Sequence, residues 1–335
     1  MPKIKNNLIF LYREDARIKI NEIARLLKKS SQRIKYSLKV MEKDGLIYNP
    51  YCVFDYSYFG LVLFRVYFKG AYISEKDKSD IIKKLSENEY VVSIYELSGE
   101  FDLVIEILAP NPSRFNKILK SISDQIPTLR HYKIILNLVT HIYPMFYLTK
   151  EEILQSYIPS QIIIGGDRNI EIFSEQELAI MKNLLNNPKI RMTALSKQSN
   201  LNIKTAKSIL QNLKKKNIIK GFKYIIDSNK LQIYKFRLFL KLHNLSKEGE
   251  DALMDYLLKT KEIVQANKTV GDWDLEIDIE SLDKTGIRKL TIEIRETFKD
   301  IIETFNIMEF YQYYTKAYLP KCFFLIENIK SFSPK

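Results

Sequence analysis

Residues 20–55 read INEIARLLKKSSQRIKYSLKVMEKDGLIYNPYCVFD, and residues 192–227 read MTALSKQSNLNIKTAKSILQNLKKKNIIKGFKYIID. In the first stretch Ile20, Ile23, Ala24 and Leu27 recur at the spacing of one helical face. Lys28-Lys29-Ser30 leaves room only for a turn, and Ser30 is a good N-cap. The spacing predicts a further helix from about Ser31 to Lys43, with Ile34, Leu38 and Met41 inward and a stop at Asp44-Gly45. Leu46 and Ile47 open an extended ribbon that runs to Asp55, and Leu8, Ile9 and Leu11 mark an earlier helix. Three helices, a tight turn between the last two and then a ribbon describe a winged helix-turn-helix. The second stretch repeats the pattern, with Met192 and Leu195 before the turn Asn200-Leu201-Asn202 and Ala206, Leu210 and Leu213 inward after it.

A constant shift of 172 relates the two stretches, and it lays residues 8–142 on 180–314 without a gap. Under it Ile18 meets Ile190, Leu38 meets Leu210, Arg65 meets Arg237, Gly99 meets Gly271 and Asp102 meets Asp274. A period this long is a whole multi-domain unit, not a solenoid repeat. The chain is expected to form an intrachain pseudo-dimer, with room for homo-oligomers beyond it.

Charge follows the same repeat. Of a net +13, residues 1–50 hold 12 Lys+Arg against 5 Asp+Glu, and residues 174–225 hold 11 against 2, so the remainder is slightly acidic. Localised positive charge is the footprint of a polyanion-binding element. The outward face of the first predicted recognition helix carries Ser31, Gln32, Arg33, Lys35, Tyr36 and Lys39; the second carries Lys204, Thr205, Lys207, Ser208, Gln211 and Lys214. Such groups suit base edges and phosphates in the major groove of double-stranded DNA. A merely solvated basic helix is the plainer alternative, but it needs no such focus of charge, repeated twice.

Residues 61–142 read strand, helix, strand, strand, helix, strand, with a hairpin at Ser98-Gly99-Glu100 and a helix opened by Pro112. The second copy repeats this order from 233 to 314. The order βαββαβ is a ferredoxin-like sandwich, with one sheet face under two helices and the other awaiting a partner. The expected class is therefore α+β: residues 1–55 and 174–228 as winged helix-turn-helix domains, 56–143 and 229–318 as ferredoxin-like domains. Residues 144–173 are expected as a linker with Gly165-Gly166 as its flexible point, and 319–335 as a C-terminal tail.

No apolar run approaches the roughly 18 residues that a membrane span needs, so no membrane partner is expected. The N-terminus shows no secretory pattern, and a cytoplasmic protein is the expectation. Cys52 and Cys322 support neither a disulfide framework nor a metal site, and no cofactor is indicated.

With these motifs in order, the chain resembles two copies of the leucine-responsive regulatory protein/AsnC family, the feast/famine regulators. Asp15-Ala16-Arg17-Ile18, the run from Lys39 to Ile47 and Gly99-Glu100-Phe101-Asp102-Leu103 carry the resemblance in the first copy. The run from Ile218 to Asp227 and Gly271-Asp272-Trp273-Asp274-Leu275 carry it in the second. The resemblance implies a sequence-specific DNA-binding transcriptional regulator whose ferredoxin-like domains dimerise and bind amino acids or related metabolites. The chain departs from the family at Lys29 and Leu201, where the turn usually has a small residue, and at Asn217, where the first copy has Gly45.

Two readings stand for Gly99, Asp102, Gly271 and Asp274. They line the effector pocket that the resemblance implies, or they are hairpin glycines and strand-capping aspartates. Phe101 and Trp273 read as core or interface. Sirohaem decarboxylases resemble this family too, which leaves a tetrapyrrole enzyme as an alternative. Their chemistry leans on histidines, however, and His131, His141 and His243 have no counterparts under the shift. Arg65 and Arg237 do match, and either a tetrapyrrole pocket or a neutralised surface position would account for them. A third alternative, a metabolite sensor without DNA binding, leaves the basic faces unexplained.

Overall fold

The computed structural model describes residues 3–324 except residue 245. Helices α1 (Lys3–Glu14), α2 (Ile20–Leu26) and α3 (Ser31–Lys43) are followed by β1 (Ile47–Phe54). The second copy gives α7 (Glu175–Asn186), α8 (Met192–Gln198), α9 (Ile203–Lys215) and β7 (Ile219–Ile226). Local chemistry sets these bounds. Ser30 accepts from the Arg33 N–H and Asn202 from the Thr205 N–H, so each recognition helix starts on a side-chain cap. Each stops on a left-handed residue, Gly45 at φ +65° and Asn217 at φ +61°. Asparagine tolerates that region, so the departure at 217 leaves the stop intact. The left-handed residue of the turn falls on Lys28 and Asn200, one place before Lys29 and Leu201.

The first ferredoxin-like unit comprises β2 (Val62–Phe68), α4 (Glu75–Glu87), β3 (Val91–Ser98), β4 (Leu103–Ala109), α5 (Pro112–Gln125) and β5 (Tyr132–Ile142). The segment after it holds α6 (Glu152–Gln155) and β6 (Ile162–Gly165). The second unit follows the short α10 (Ser228–Leu231) and comprises β8 (Tyr234–Leu242), α11 (Lys247–Lys259), β9 (Ile263–Val270), β10 (Leu275–Ser281), α12 (Lys284–Thr297) and β11 (Ile302–Lys316).

The two units share one sheet, in the order β2-β4-β3-β11-β8-β10-β9-β5-β6, and β5 also returns to β2. Eight strands therefore close into a barrel, with β6 added on β5. Closure works by exchange of the last strands. One part of β5 pairs with β2 of its own unit and the other with β9 of the second, while β11 pairs with β8 and then with β3. The registers correct the constant shift. Arg65 faces Ile135 and Val66 faces Ile134, while Arg237 faces Met308 and Leu238 faces Ile307. The last strands are thus related by 173, with one extra residue before β11.

Outside, each sheet is covered by its own helices over an apolar core: Val66, Ile94, Ile105 and Leu119 in one unit, Leu238, Leu253, Ile277 and Ile294 in the other. Inside, the faces turned toward each other are not wholly apolar. Arg65 and Arg237, 1% and 0% exposed, lie there, so their reading as neutralised surface positions is corrected. Arg65 donates through Nε to Glu106 at 2.8 Å and through Nη1 to Glu276 at 2.7 Å. Arg237 forks onto Asp278 at 2.6 and 2.9 Å and reaches the Tyr67 and Tyr95 hydroxyls at 2.9 and 2.6 Å. Tyr67 in turn donates to Glu276 at 2.6 Å, which joins the two arginines across the copies.

The segment expected as an open linker is built into the fold. Its Gly165 N–H donates to Asp55 Oδ1 at 3.0 Å, at φ +87°, and a Cβ there would stand 2.6 Å from the Leu138 carbonyl. It is a packed contact rather than a flexible point. The tail packs as far as it is described: Phe323 stands edge-on to Phe59 at 5.1 Å, while Leu325 lies outside the described residues.

Two outcomes follow. Replacing Arg65 with Met strips Glu276 and Glu106 of their partner in the interior, and should lower stability by about 3–5 kcal/mol in denaturant titration. Gly165→Ala combines left-handed strain with a backbone clash, so its thermal midpoint should fall clearly below wild type, where a flexible tether would show no change.

Candidate nucleic-acid interface

The pairing of β1 with β7 in an antiparallel ribbon settles how the two reading heads sit. At its ends the Asp55 N–H donates to the Ile218 carbonyl and the Asp227 N–H to the Leu46 carbonyl, a reciprocal pair of bonds under the shift of 172. The wings are therefore a seam between the copies. Both heads also share one apolar core, which takes in Leu8, Phe10, Ile34, Met181, Leu195 and Leu213.

On α3, Ser31, Gln32, Arg33, Lys35, Tyr36 and Lys39 are exposed, with Tyr36 at 70%. Ser31 donates to Asn21 Oδ1 at 2.8 Å, which ties the helix start to α2. On α9, Lys204, Lys207, Ser208, Gln211 and Lys214 are exposed and Thr205 is half-buried. Lys214 is not free: its ammonium stands over the Phe222 ring at 5.2 Å. Sequence reasoning missed Ile203, the first residue of α9 and 50% exposed. Its signal was an apolar residue off the inward stripe, at a place suited to a thymine methyl.

Part of the basic surplus is tied up by contacts within the protein, some buried and some at the surface. Arg17 donates to the Pro188 carbonyl at 2.8 Å and lies over Phe222, and burial pulls its pKa down. Lys223 pairs with Glu14 in the interior, Lys220 with Asp55 and Lys216 with Glu171. Lys189 reaches Glu42 at 2.7 Å and the Tyr224 hydroxyl beside it. Burial works to raise the Glu42 carboxyl, but these hydrogen bonds hold it below the usual range. Arg33, Lys35, Lys39, Lys204 and Lys207 remain as cations on the reading faces.

The four residues considered for an effector lie in two hairpins. Asp102 accepts from the Gly70 and Ala71 N–H groups, and Asp274 accepts from the Leu242 N–H at 2.8 Å and from Lys241 at 2.9 Å. Gly70 and Leu242 are equivalent under the shift, so both aspartates cap the same place in the fold. A Cβ on Gly99 (φ +140°) would stand 3.3 Å from Met308, and one on Gly271 (φ +147°) 3.2 Å from the Ile134 carbonyl. Lys133 bridges the hairpins, at 3.2 Å from Glu100 and 3.0 Å from Asp272, and the Asp272 hydrogen bond raises its pKa. Phe101 is buried and Trp273 half-buried beside Phe239.

His131 and His243 are exposed near strand ends, while His141 is half-buried on β5 and contacts Gln161 at 3.2 Å. Burial pulls the His141 pKa down. Among the described residues no group of three or more His, Cys, Asp or Glu could hold a metal ion, and no helix is long and apolar enough to cross a membrane.

The family of winged helix-turn-helix DNA-binding segments matches residues 1–48 and 173–220, and the Lrp/AsnC ligand binding domain matches residues 62–143. An uncharacterised HTH-type transcriptional regulator of Pyrococcus horikoshii is 26% identical over 110 residues, covering 33% of this chain and 73% of its own. The HTH-type transcriptional regulator FL11 of the same organism is 23% identical over 146 residues, covering 42% of this chain and 91% of its own. In fold the chain is similar to the siroheme decarboxylase NirDL, with a TM-score of 0.59 at 11% identity over 98% of this chain and 99% of that one. With the DNA-binding segment matched twice and the ligand-binding domain between, this chain carries the domains of Lrp/AsnC-like DNA-binding transcriptional regulators, with the winged helix-turn-helix duplicated.

Proposed function

We propose that one chain reads an asymmetric duplex site through α3 and α9. The observation that carries this is a pair of N-capped, exposed helices of unlike sequence held in one unit by the β1–β7 ribbon. Gln32, Arg33, Tyr36 and Lys39 of the first helix correspond to Lys204, Thr205, Ser208 and Gln211 of the second. A symmetric dimer reads a palindrome because its two helices are identical. Two unlike helices favour unlike half-sites. Ser31, Lys35, Lys207 and Ile203 complete the reading faces; Lys214 serves packing first. An amino acid or related effector at the hairpin end would meet the backbone around Gly99 and Gly271, because the Asp102 and Asp274 carboxylates are engaged.

The likeness in fold to NirDL over the whole chain supports a second reading, a tetrapyrrole enzyme. The scattered histidines weigh against it. Adding an iron tetrapyrrole and recording the Soret band separates the two. A stoichiometric shift together with no DNA binding would favour the enzyme.

Selection from random duplexes should return two unlike half-sites; a strict palindrome answering only to α3 mutations would sink the asymmetric reading. Arg33→Ala should cost about 1–3 kcal/mol on the selected site and relax one base position, while Lys39→Ala should weaken all duplexes alike. If the four lysines Lys35, Lys39, Lys204 and Lys207 meet phosphates, log affinity should fall against log salt with a slope of about −3 to −4.

A further inference from the structure

A cavity of about 40 Å³ lies where the reading heads meet the barrel, and Arg13, Tyr51, Lys235, Glu280, Tyr313 and Lys316 are on its wall. That is room for a few heavy atoms, since one water needs about 10–15 Å³. Its charges do not balance. Lys235 is paired with Glu280 at 3.0 Å, and Asp278, also on the wall, is held by Arg237. Arg13 Nη1 is buried and without a hydrogen-bond partner among the described residues. Lys316 donates to the Tyr313 hydroxyl at 3.2 Å and lies 4.2 Å from that ring's centre and 5.8 Å from that of Tyr51. Neither contact brings it a negative charge. Carboxylates do act on both, Glu14 and Glu280 on Arg13 and Glu106 and Asp278 on Lys316, but each is already bound to another cation, Lys223, Lys235, Arg65 and Arg237 in turn. Among the described residues neither Arg13 nor Lys316 has a carboxylate of its own, an arrangement that favours an added anion.

We propose that this cavity binds one small carboxylate per chain, held between the Arg13 guanidinium and the Lys316 ammonium. A guanidinium offers a carboxylate two parallel hydrogen bonds, and the neighbouring ammonium adds a third donor. Apolar wall residues Ile142, Val264 and Ile279 suit a short hydrocarbon stub behind the carboxylate. The occupant bridges α1 and β7 of the reading heads to the barrel strands β8, β10 and β11. The site occurs once, because the places matching Arg13 and Lys316 hold Leu185 and Tyr143. It stands apart from the reading of DNA, and its test does not depend on DNA binding.

Burial, and after it the nearby Arg13, pulls the Lys316 pKa down to about 7. The other titratable groups on the wall are Tyr51, Tyr224, Lys235, Asp278, Glu280 and Tyr313, and Glu106 and Asp278 act against the lowering of Lys316. An anion beside Lys316 favours its charged form, so binding above about pH 7 takes up a proton and weakens as pH rises.

Isothermal titration of the full chain with sodium acetate, against sodium chloride at matched ionic strength, is the test. The expected result is one acetate per chain, with heats that depend on the ionisation enthalpy of the buffer at pH 7.5. Arg13→Leu and Lys316→Met should each weaken binding at least tenfold, and Arg13→Lys by less. Acetate heats no different from chloride, two acetates per chain, or unchanged affinity in both loss variants would overturn the proposal. If Arg13→Leu does not fold, Lys316→Met and the buffer dependence of the wild type decide.

Discussion

The hydrogen-bonded run Arg65–Glu276–Tyr67–Arg237 sits between the two sheets, and the rest of the architecture depends on it. A sheet face that carries an arginine and a carboxylate cannot be buried against a plain apolar surface, because desolvating charges costs several kcal/mol per ion unless each is paired. Within one copy, Arg65 finds Glu106 and Arg237 finds Asp278, a matched pair under the repeat. Arg65 also meets Asn137 of its own copy, while Glu276, Asn267 and the Tyr67 and Tyr95 hydroxyls are reached across the copies. Such a face discriminates: it rewards the register that pairs each buried arginine with its carboxylates. Burial drives the Arg65 and Arg237 pKa values down, but the carboxylates beside them more than reverse this, and both guanidiniums remain charged.

From that closure the placement of the reading heads follows. Exchange of β5 and β11 commits each copy to the other, and the β1–β7 ribbon carries the commitment into the helix-turn-helix pair. The heads are thus positioned by three connected devices: barrel, ribbon and a shared apolar core. Several cations that make the basic segments look strongly positive serve this assembly. Lys223 with Glu14, Lys189 with Glu42 and Arg17 on the Pro188 carbonyl are internal ties. The charge free to meet a polyanion is smaller than composition implies, and it is focused on α3 and the first half of α9.

Duplication within one chain also frees the copies to diverge. In a dimer of identical chains any change appears twice. Here Glu276 acts where the first copy has Val104, Arg13 and Lys316 face a cavity without a mirror image, and the recognition helices differ at most of the positions that face outward, Lys35 and Lys207 being the shared lysine. The pseudo-symmetry survives where geometry demands it, in the reciprocal bonds of Asp55 and Asp227 and in the capping by Asp102 and Asp274.

The local elements were legible in the sequence because their causes are local. Ser30 as a cap, Asn200-Leu201-Asn202 as a turn, Gly45 as a stop, Pro112 at a helix start and the apolar spacing of α3 and α9 act over a few residues. The period of 172 exposed the duplication, and the alternation of strands exposed an unpaired sheet face. The second copy was the expected partner for that face, and tertiary structure decided how the two close on each other. Strand exchange, the slip to 173 in the last strand, the pinning of Gly165 under the Leu138 carbonyl and the turn of Lys214 onto Phe222 all depend on partners far away in the chain. Periodicity tells which face of a strand is buried but not which strand lies beside it, and a charge in a strand reads as exposed until its partner is known. Arg65 and Arg237 were visible as a matched pair, and their meaning came from Glu106, Asp278 and Glu276, which only the closed barrel brings within hydrogen-bond reach.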